Sequence, residues 1–266
     1  MPDLQLKKAH RWHWHCLITD MIAITGMHRS GTSCVTELLK ESGFSLGTRH
    51  RILDEPGRHN ARGHFENAGA LMLNQLVLHE AGGNWIHVPP AAKILEAGEK
   101  LQGYFHGFEK AFDGDIFKDP RTTVTFPLWE KYCASLEHVV FCFRHPLAVA
   151  QSLNRRHNLP AHVGLSIWFV YHARFFKGVS NIPVTIVDYD HLCSAPEEVL
   201  ECLLQALDQP IMWLEVQRVV QDSFESRLNH APFTDAMLQR LPPQISAMYQ
   251  VIRERSCSAR LAVLPA

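Results

Sequence analysis

The residues best spaced for chemistry stand at Gly26-Met-His-Arg-Ser-Gly31-Thr-Ser33, a G-x-x-x-x-G-T-S loop that follows an apolar run and opens a helical pattern. Glycines and small hydroxyl residues between a strand and a helix can turn several backbone N–H groups and a helix N-terminus toward one anion. A nucleoside-triphosphate loop of this spacing carries Lys where Thr32 stands, and that Lys works with Mg²⁺ at the β and γ oxygens. Here the charge sits inside the loop at Arg29, and no G-x-x-x-x-G-K-[ST] occurs elsewhere. The loop is therefore read as the seat of a smaller anion, with Arg29, Ser30, Gly31, Thr32 and Ser33 as its ligands. The bland alternative is a glycine turn that only joins strand to helix.

A second basic segment begins where the run Val139–Phe143 ends in Arg144 and continues through Pro146 to Ser152, Arg155 and Arg156. An Arg at the end of a parallel strand stands at the edge where open α/β sheets bind ligands, and Pro146 can start the next helix. Ser152 follows Arg144 by eight residues and Arg156 follows Ser152 by four, so one helical face can carry both past a phosphate held by Arg144. A solvated Arg-rich helix end is as common an explanation.

Together the two segments resemble the PAPS-dependent sulfotransferase family, in which such a loop and an Arg-to-Ser segment grip the two ends of 3′-phosphoadenosine 5′-phosphosulfate. The resemblance runs from about Ile22 to Pro196. It includes Gly63-His-Phe-Glu66-Asn67, Lys118-Asp-Pro-Arg121 and Val187-Asp-Tyr-Asp-His-Leu192, which look like the G-x-F-E, K-D-P-R and Y-D-x-L segments of bacterial and carbohydrate-type members. It implies PAPS as sulfuryl donor, PAP as product, no metal, and a hydroxyl or secondarily an amine acceptor, with small molecules and glycans as candidates. It also implies Glu66 as general base, Lys118 at the bridging oxygen between phosphate and sulfur, and Arg29 at the leaving phosphate; His64 is the alternative base. Arg144, Ser152 and Arg156 would hold the 3′-phosphate. The chain departs from small-molecule members in having Arg29 for the loop Lys and no C-terminal R-K-G-x-x-G-x-W-K segment. Sulfuryl transfer calls for stabilising charge on the departing phosphate, which suits Arg29 and the loop amides. Each residue also has a plainer reading: Glu66 as an acid at the start of the following helix, and Lys118 as an exposed strand end. Rival functions are an atypical P-loop phosphotransferase and a catalytically silent nucleotide-binding protein.

Positioning these residues requires strands that end at one edge. Apolar or β-branched runs at Met21–Thr25, Asp115–Lys118, Val139–Phe143 and Val184–Val187 are each followed by helical sequence. This order predicts an α/β, P-loop-like three-layer fold with a central parallel sheet flanked by helices. Helices are expected over Ala70–Ala81, Ala91–Phe112, Pro146–Arg156 and Ala161–Lys177. Ser194-Ala-Pro-Glu197 reads as a capping box that opens a helix to about Leu207, and helical sequence interrupted at Pro242-Pro243 follows. The aromatic run from Trp168 to Phe176 is read as core. Gly47–Asn67, rich in Arg, His and Gly, is read as a substrate loop, and its Arg49, Arg51, Arg58 and Arg62 hint at an acidic glycan. Residues 1–20 are expected to be loose and 21–266 to form a single domain.

With 26 Lys and Arg against 27 Asp and Glu, the formal charge of -1 argues against an overall field for nucleic acid or anionic lipid, so any anion site must be local. No apolar run approaches the roughly 18 residues of a membrane span, and no secretory signal opens the chain, so the cytoplasm is the expected compartment. Seven cysteines without a C-x-x-C pair read as small buried residues rather than a disulfide framework. His10, His13, His15 and Cys16 lie close in sequence but lack the spacing of a zinc motif. The oligomeric state is not legible.

Overall fold

A computed structural model describes residues 20–53, 63–224 and 233–257. The early tail, with His10, His13, His15 and Cys16, and the loop residues Arg58 and Arg62 lie outside the described residues. Among those described, four parallel strands form one sheet: β1 (Met21–Thr25), β4 (Ile116–Lys118), β5 (Leu136–Phe143) and β6 (Val184–Asp188), in the order β4-β1-β5-β6.

Both faces are covered, and alternation along the strands assigns side chains to each. Ala23, Phe117, Val139, Phe141 and Phe143 face one apolar core, built with α2 (Ala68–Glu80), α3 (Ala91–Ala111), α4 (Thr122–Tyr132), α5 (Pro146–His157), α6 (Ala161–Gly178), α10 (Asp235–Leu238) and α11 (Pro243–Glu254). Ile22, Ile24, Ile116, Val140 and Cys142 face the other, built with α1 (Thr32–Glu41), the short α7 (Tyr189–Leu192), α8 (Pro196–Ala206) and α9 (Trp213–Ser223). A parallel strand buried on both faces must be apolar at consecutive positions, as Met21-Ile-Ala-Ile is. Trp168, Tyr171 and Phe175 are fully buried, as their helical spacing suggested.

From β1 the chain crosses to β4 on one side, then returns past β1 to β5 on the other. α1 and α4 therefore leave from opposite faces of neighbouring strands, and a crevice opens at the carboxyl ends of β4, β1 and β5, where open α/β sheets receive ligands. The loop after β1, Lys118 at the end of β4 and Arg144 after β5 all meet there.

Two expectations need correction. Within Gly47–Asn67, a two-residue antiparallel ladder pairs β2 (Ile52–Leu53) with β3 (Glu66–Asn67), and Asp113 pins the start of the segment by accepting from the Thr48 N–H and hydroxyl and the Arg49 N–H. The Ser194 capping box does not form. The Ser194 hydroxyl donates to the His191 carbonyl instead, and Ala195 takes the N-cap position of α8 without a side-chain bond. The local turn at the end of α7 outcompetes the cap for that hydroxyl.

Gly26 is where loop and sheet touch most closely. Its φ is 144°, its N–H donates to the Thr123 hydroxyl at 3.0 Å, and a Cβ there would be driven into the Cys142 carbonyl oxygen of β5. Gly26→Ala is expected to destabilise the fold by roughly 2–3 kcal/mol through strain and overpacking, measured as a lower urea midpoint; an unchanged midpoint would mean that the loop is not held against β5.

Candidate active site

The loop from Gly26 to Gly31 turns tightly: the Ser30 N–H donates to the Met27 carbonyl, and Arg29 and Gly31 both have positive φ, 72° and 85°. Gly31 is the N-cap of α1, which has no side-chain cap, and a Cβ on it would strike the Tyr189 ring. The first turn of α1 thus presents backbone N–H groups and the positive helix end to whatever lies over the loop. The Ser30 hydroxyl is buried there without a hydrogen-bond partner. Thr32 is buried too, and its carbonyl accepts from the Thr36 hydroxyl.

Arg29 reaches out of the loop to α5, where its Nε donates to the Ser152 hydroxyl at 2.9 Å. The two segments expected to grip opposite ends of one nucleotide therefore touch. Burial, then the neighbouring Arg156 and Arg144 charges, pull the Arg29 guanidinium down to about 10. Among the described residues neither Arg29 nor Arg156 has a carboxylate partner. Arg144 has one: its Nε lies 3.3 Å from Asp190, and its guanidinium stacks over Tyr189 at 4.9 Å. Arg156 instead approaches His64, with Nη2 3.5 Å from the ring Nε2. Among the described residues three guanidiniums thus share one carboxylate, a surplus of positive charge that an anion would relieve.

The other half of the crevice is nearly neutral. Lys118, only 2% exposed, is no surface strand end: its ammonium donates to the His64 carbonyl at 2.9 Å and to Glu66 at 3.2 Å, with Ser33 at 3.4 Å. Ser33 also donates to the His64 carbonyl, at 3.0 Å. Arg121 lies 3.5 Å from the second Glu66 oxygen and 2.8 Å from Asp119. Burial alone would raise the Glu66 carboxyl, but Lys118 and Arg121 outweigh it and hold the group below its usual range. Glu66 is not the cap of α2; Asn67 is, accepting from the Ala70 N–H at 3.1 Å. His64 is lowered by burial, then by Lys118 and Arg156. Among the described residues no three His, Cys, Asp or Glu side chains are grouped as a metal cage would need.

Among solved structures, the sulfotransferase STF9 from Mycobacterium avium aligns over 89% of this chain and 77% of its own, with a TM-score of 0.54 at 13% identity. The chain has the sulfotransferase fold. The alignments with a sulfotransferase domain of the curacin biosynthetic pathway (TM-score 0.49, 12% identity, 90% of this chain and 99% of that one) and with one from a Synechococcus PCC 7002 olefin synthase (0.47, 17%, 95% and 100%) are looser. No protein-family model and no curated protein matches the sequence.

Within this sulfotransferase fold, two supporting residues escaped the motifs. Asn74 on α2 is fully buried and saturated: its amide donates to Asp119 and Thr122 and accepts from the Thr125 hydroxyl and Trp129 indole. A polar residue between Leu73 and Val77 on an apolar helical face was the available signal. Asp190, which holds Arg144 and the His145 N–H, lay in the quoted Tyr-Asp segment without a stated task.

Asp188 caps α7 by accepting from the Asp190 and His191 N–H groups, and burial, then repulsion from Asp190, raises its carboxyl to about 6. The native state therefore keeps a proton that the unfolded chain, titrating near 3.9, has already lost, so this group's stabilisation falls as pH rises from about 4 to 6. Asp188→Asn keeps the accepting oxygen and removes that loss. Its Tm should exceed wild type at pH 7.5 and the gap should close near pH 4, a comparison readily made by calorimetry; equal pH slopes for both proteins would refute it.

Proposed function

We propose that the chain is a sulfotransferase that takes its sulfuryl group from PAPS and releases PAP, acting on a hydroxyl acceptor. The observation that carries this reading is the Arg29–Ser152 contact within a cluster of guanidiniums short of carboxylates. A ligand with two separate phosphate-like groups suits it better than a single small anion. The buried Ser30 hydroxyl, the uncapped α1 N-terminus and the glycine surface against Tyr189 fit a phosphosulfate lying over the loop. Arg144, Ser152 and Arg156 would hold the 3′-phosphate, and Arg29 stands between the two ends.

PAPS, when bound, supplies a sulfuryl group on a phosphate leaving group, so that the sulfur–oxygen bond to phosphate breaks as one to the acceptor oxygen forms. Arg29 and the loop N–H groups are placed to stabilise charge growing on the departing phosphate, by fixed donors that need no reorganisation. Lys118 stands at the end of β4 with its ammonium already desolvated, which strengthens any charge it meets there. Glu66 is ionised at neutral pH and can receive the acceptor proton. Held below its usual range by Lys118 and Arg121, it is a weak base, so it takes the proton only as the acceptor oxygen acidifies through bonding to sulfur. Among the described residues no helix is long and apolar enough to cross a membrane.

Calorimetric titration with PAP tests the donor assignment directly. Wild type should bind PAP more tightly than AMP. Arg29→Ala should weaken PAP binding by roughly 1.5–3 kcal/mol, the scale of a hydrogen bond to a charged group, and Arg144→Ala should lose most of the preference over AMP. Binding of MgATP in place of PAP would sink the reading in favour of phosphoryl transfer.

Turnover tests the base. Glu66→Gln should leave PAP affinity near wild type and lower turnover by roughly 10² to 10⁴. Because the carboxyl sits low, the acidic limb of the wild-type profile should fall below the ordinary Glu range near 4.3, and Glu66→Gln should lack it. An acidic limb that persists in this variant but vanishes in His64→Ala would move the base to His64.

A further inference from the structure

Asp190 has no part in the donor contacts proposed above, yet it touches both Arg144 and the start of α5. Its Oδ1 accepts from Arg144 Nε at 3.3 Å and its Oδ2 from the His145 N–H at 2.7 Å. Tyr189, the residue before it, lies under the Arg144 guanidinium, 4.9 Å from the ring centroid. The Trp168 indole N–H fixes the backbone at the same point by donating to the Arg144 carbonyl at 3.1 Å.

A guanidinium is flat and rigid, so two constraints orient it: the Tyr189 ring sets its plane and the carboxylate takes one edge. With Nε engaged by Asp190, the two Nη groups are left over, and among the described residues they have no hydrogen-bond partner. They form a fork of set direction on a side chain that is only 11% exposed. Tyr189 also sets where that fork stands relative to the loop after β1, because a Cβ on Gly31 would strike the same ring. One ring thus spaces Arg144 from the N-terminus of α1, and a ligand with two anionic groups must match both a separation and a direction.

A carboxylate beside a phosphate seat repels the ligand, so the Asp190 charge itself works against affinity. What it supplies is aim. The 2′- and 3′-phosphates of a ribose carry the same charge and differ only in where they stand, and a loosely held cation accepts either, whereas a fixed fork does not. We propose that Asp190 is a positioning residue that, with Tyr189, aims the Arg144 fork and thereby lets the site tell a 3′-phosphate from a 2′-phosphate on the same nucleotide. This rests on the PAPS reading and deepens it at the 3′-phosphate.

Calorimetric titration with PAP and with adenosine 2′,5′-bisphosphate tests it, since the two isomers carry equal charge and repulsion from Asp190 cancels between them. Wild type should favour PAP by roughly tenfold or more. In Asp190→Asn the amide oxygen is needed by the His145 N–H, which turns the amide NH2 toward the Arg144 Nε–H, so the loop bond is kept and the guanidinium is released. The Tm of this variant should stay within a few degrees of wild type, while its preference for PAP falls to about threefold or less. Arg144→Ala should show the same small preference, and adding Asp190→Asn to it should change nothing further, as expected of a residue that acts through that arginine. An undiminished preference in Asp190→Asn, or a further fall in the double variant, overturns the proposal. Equal losses of both isomers together with several degrees of Tm do so too, by making Asp190 a structural residue. If wild type takes both isomers equally tightly, the donor reading stands and this assignment falls; if PAP does not bind wild type at all, both fall.

Discussion

A buried ammonium organises this molecule. Lys118 ends a strand that is paired on one side and covered on both faces, and at 2% exposure its charge cannot be left to water. An isolated cation at that depth is prohibitive, so the surrounding chain has to supply a carboxylate and further acceptors. Glu66 and the His64 carbonyl supply them, and both belong to the segment that returns to β3 from the region after β2. The ion pair thereby holds a sequence with little apolar content against the sheet edge. Arg121 and Asp119 extend the same arrangement to the start of α4, and Asn74 ties it to α2. Replacing any one member takes a charge or hydrogen-bond partner from buried neighbours, so the members depend on one another.

The loop after β1 and the start of α5 obey the opposite rule. Among the described residues their cations are in excess, with Arg29 and Arg156 lacking carboxylates and Arg144 sharing one with the His145 N–H. Like charges this close lower one another's affinity for protons, and Arg29 is displaced for that reason as well as by burial. Stability is given up at this place, as it is in sites whose charges await a ligand. The contrast between a compensated half, around Glu66, and an uncompensated half, around Arg29, divides the crevice electrostatically in two.

Much of this was legible in the chain itself. β1, β5 and β6 announce themselves because strands buried on both faces must be apolar at consecutive positions, and the glycines at 26 and 31 mark places where no Cβ fits. The helices from Ala91, Pro146 and Ala161 begin where prolines end the preceding loops. What was not legible depends on contacts distant in sequence. Arg29 meeting Ser152, Asp190 meeting Arg144 and Asn74 meeting Asp119 leave no local periodicity, and the spacing of Arg144, Ser152 and Arg156 gives no sign of the side chains that each one meets. Those partners are Asp190 for Arg144, Arg29 for Ser152 and His64 for Arg156. Ser194 failed as a cap for a related reason, since a hydroxyl within reach of two backbone partners chooses by geometry that the motif does not encode.

His28 and Arg29 show why neighbouring residues in one short loop can serve different ends. A turn closed between Met27 and Ser30 sends consecutive side chains in different directions. Arg29 goes to α5 and the guanidinium cluster, while the His28 ring packs on Trp85 and meets Tyr171. The positive φ at Arg29, unusual for a residue with a Cβ, is the backbone cost of that divergence. The strain therefore sits between the guanidinium cluster and the Trp85 side of the loop, and it is sustained by the anchors on either side: Gly26 held by Thr123 and Gly31 seated against Tyr189.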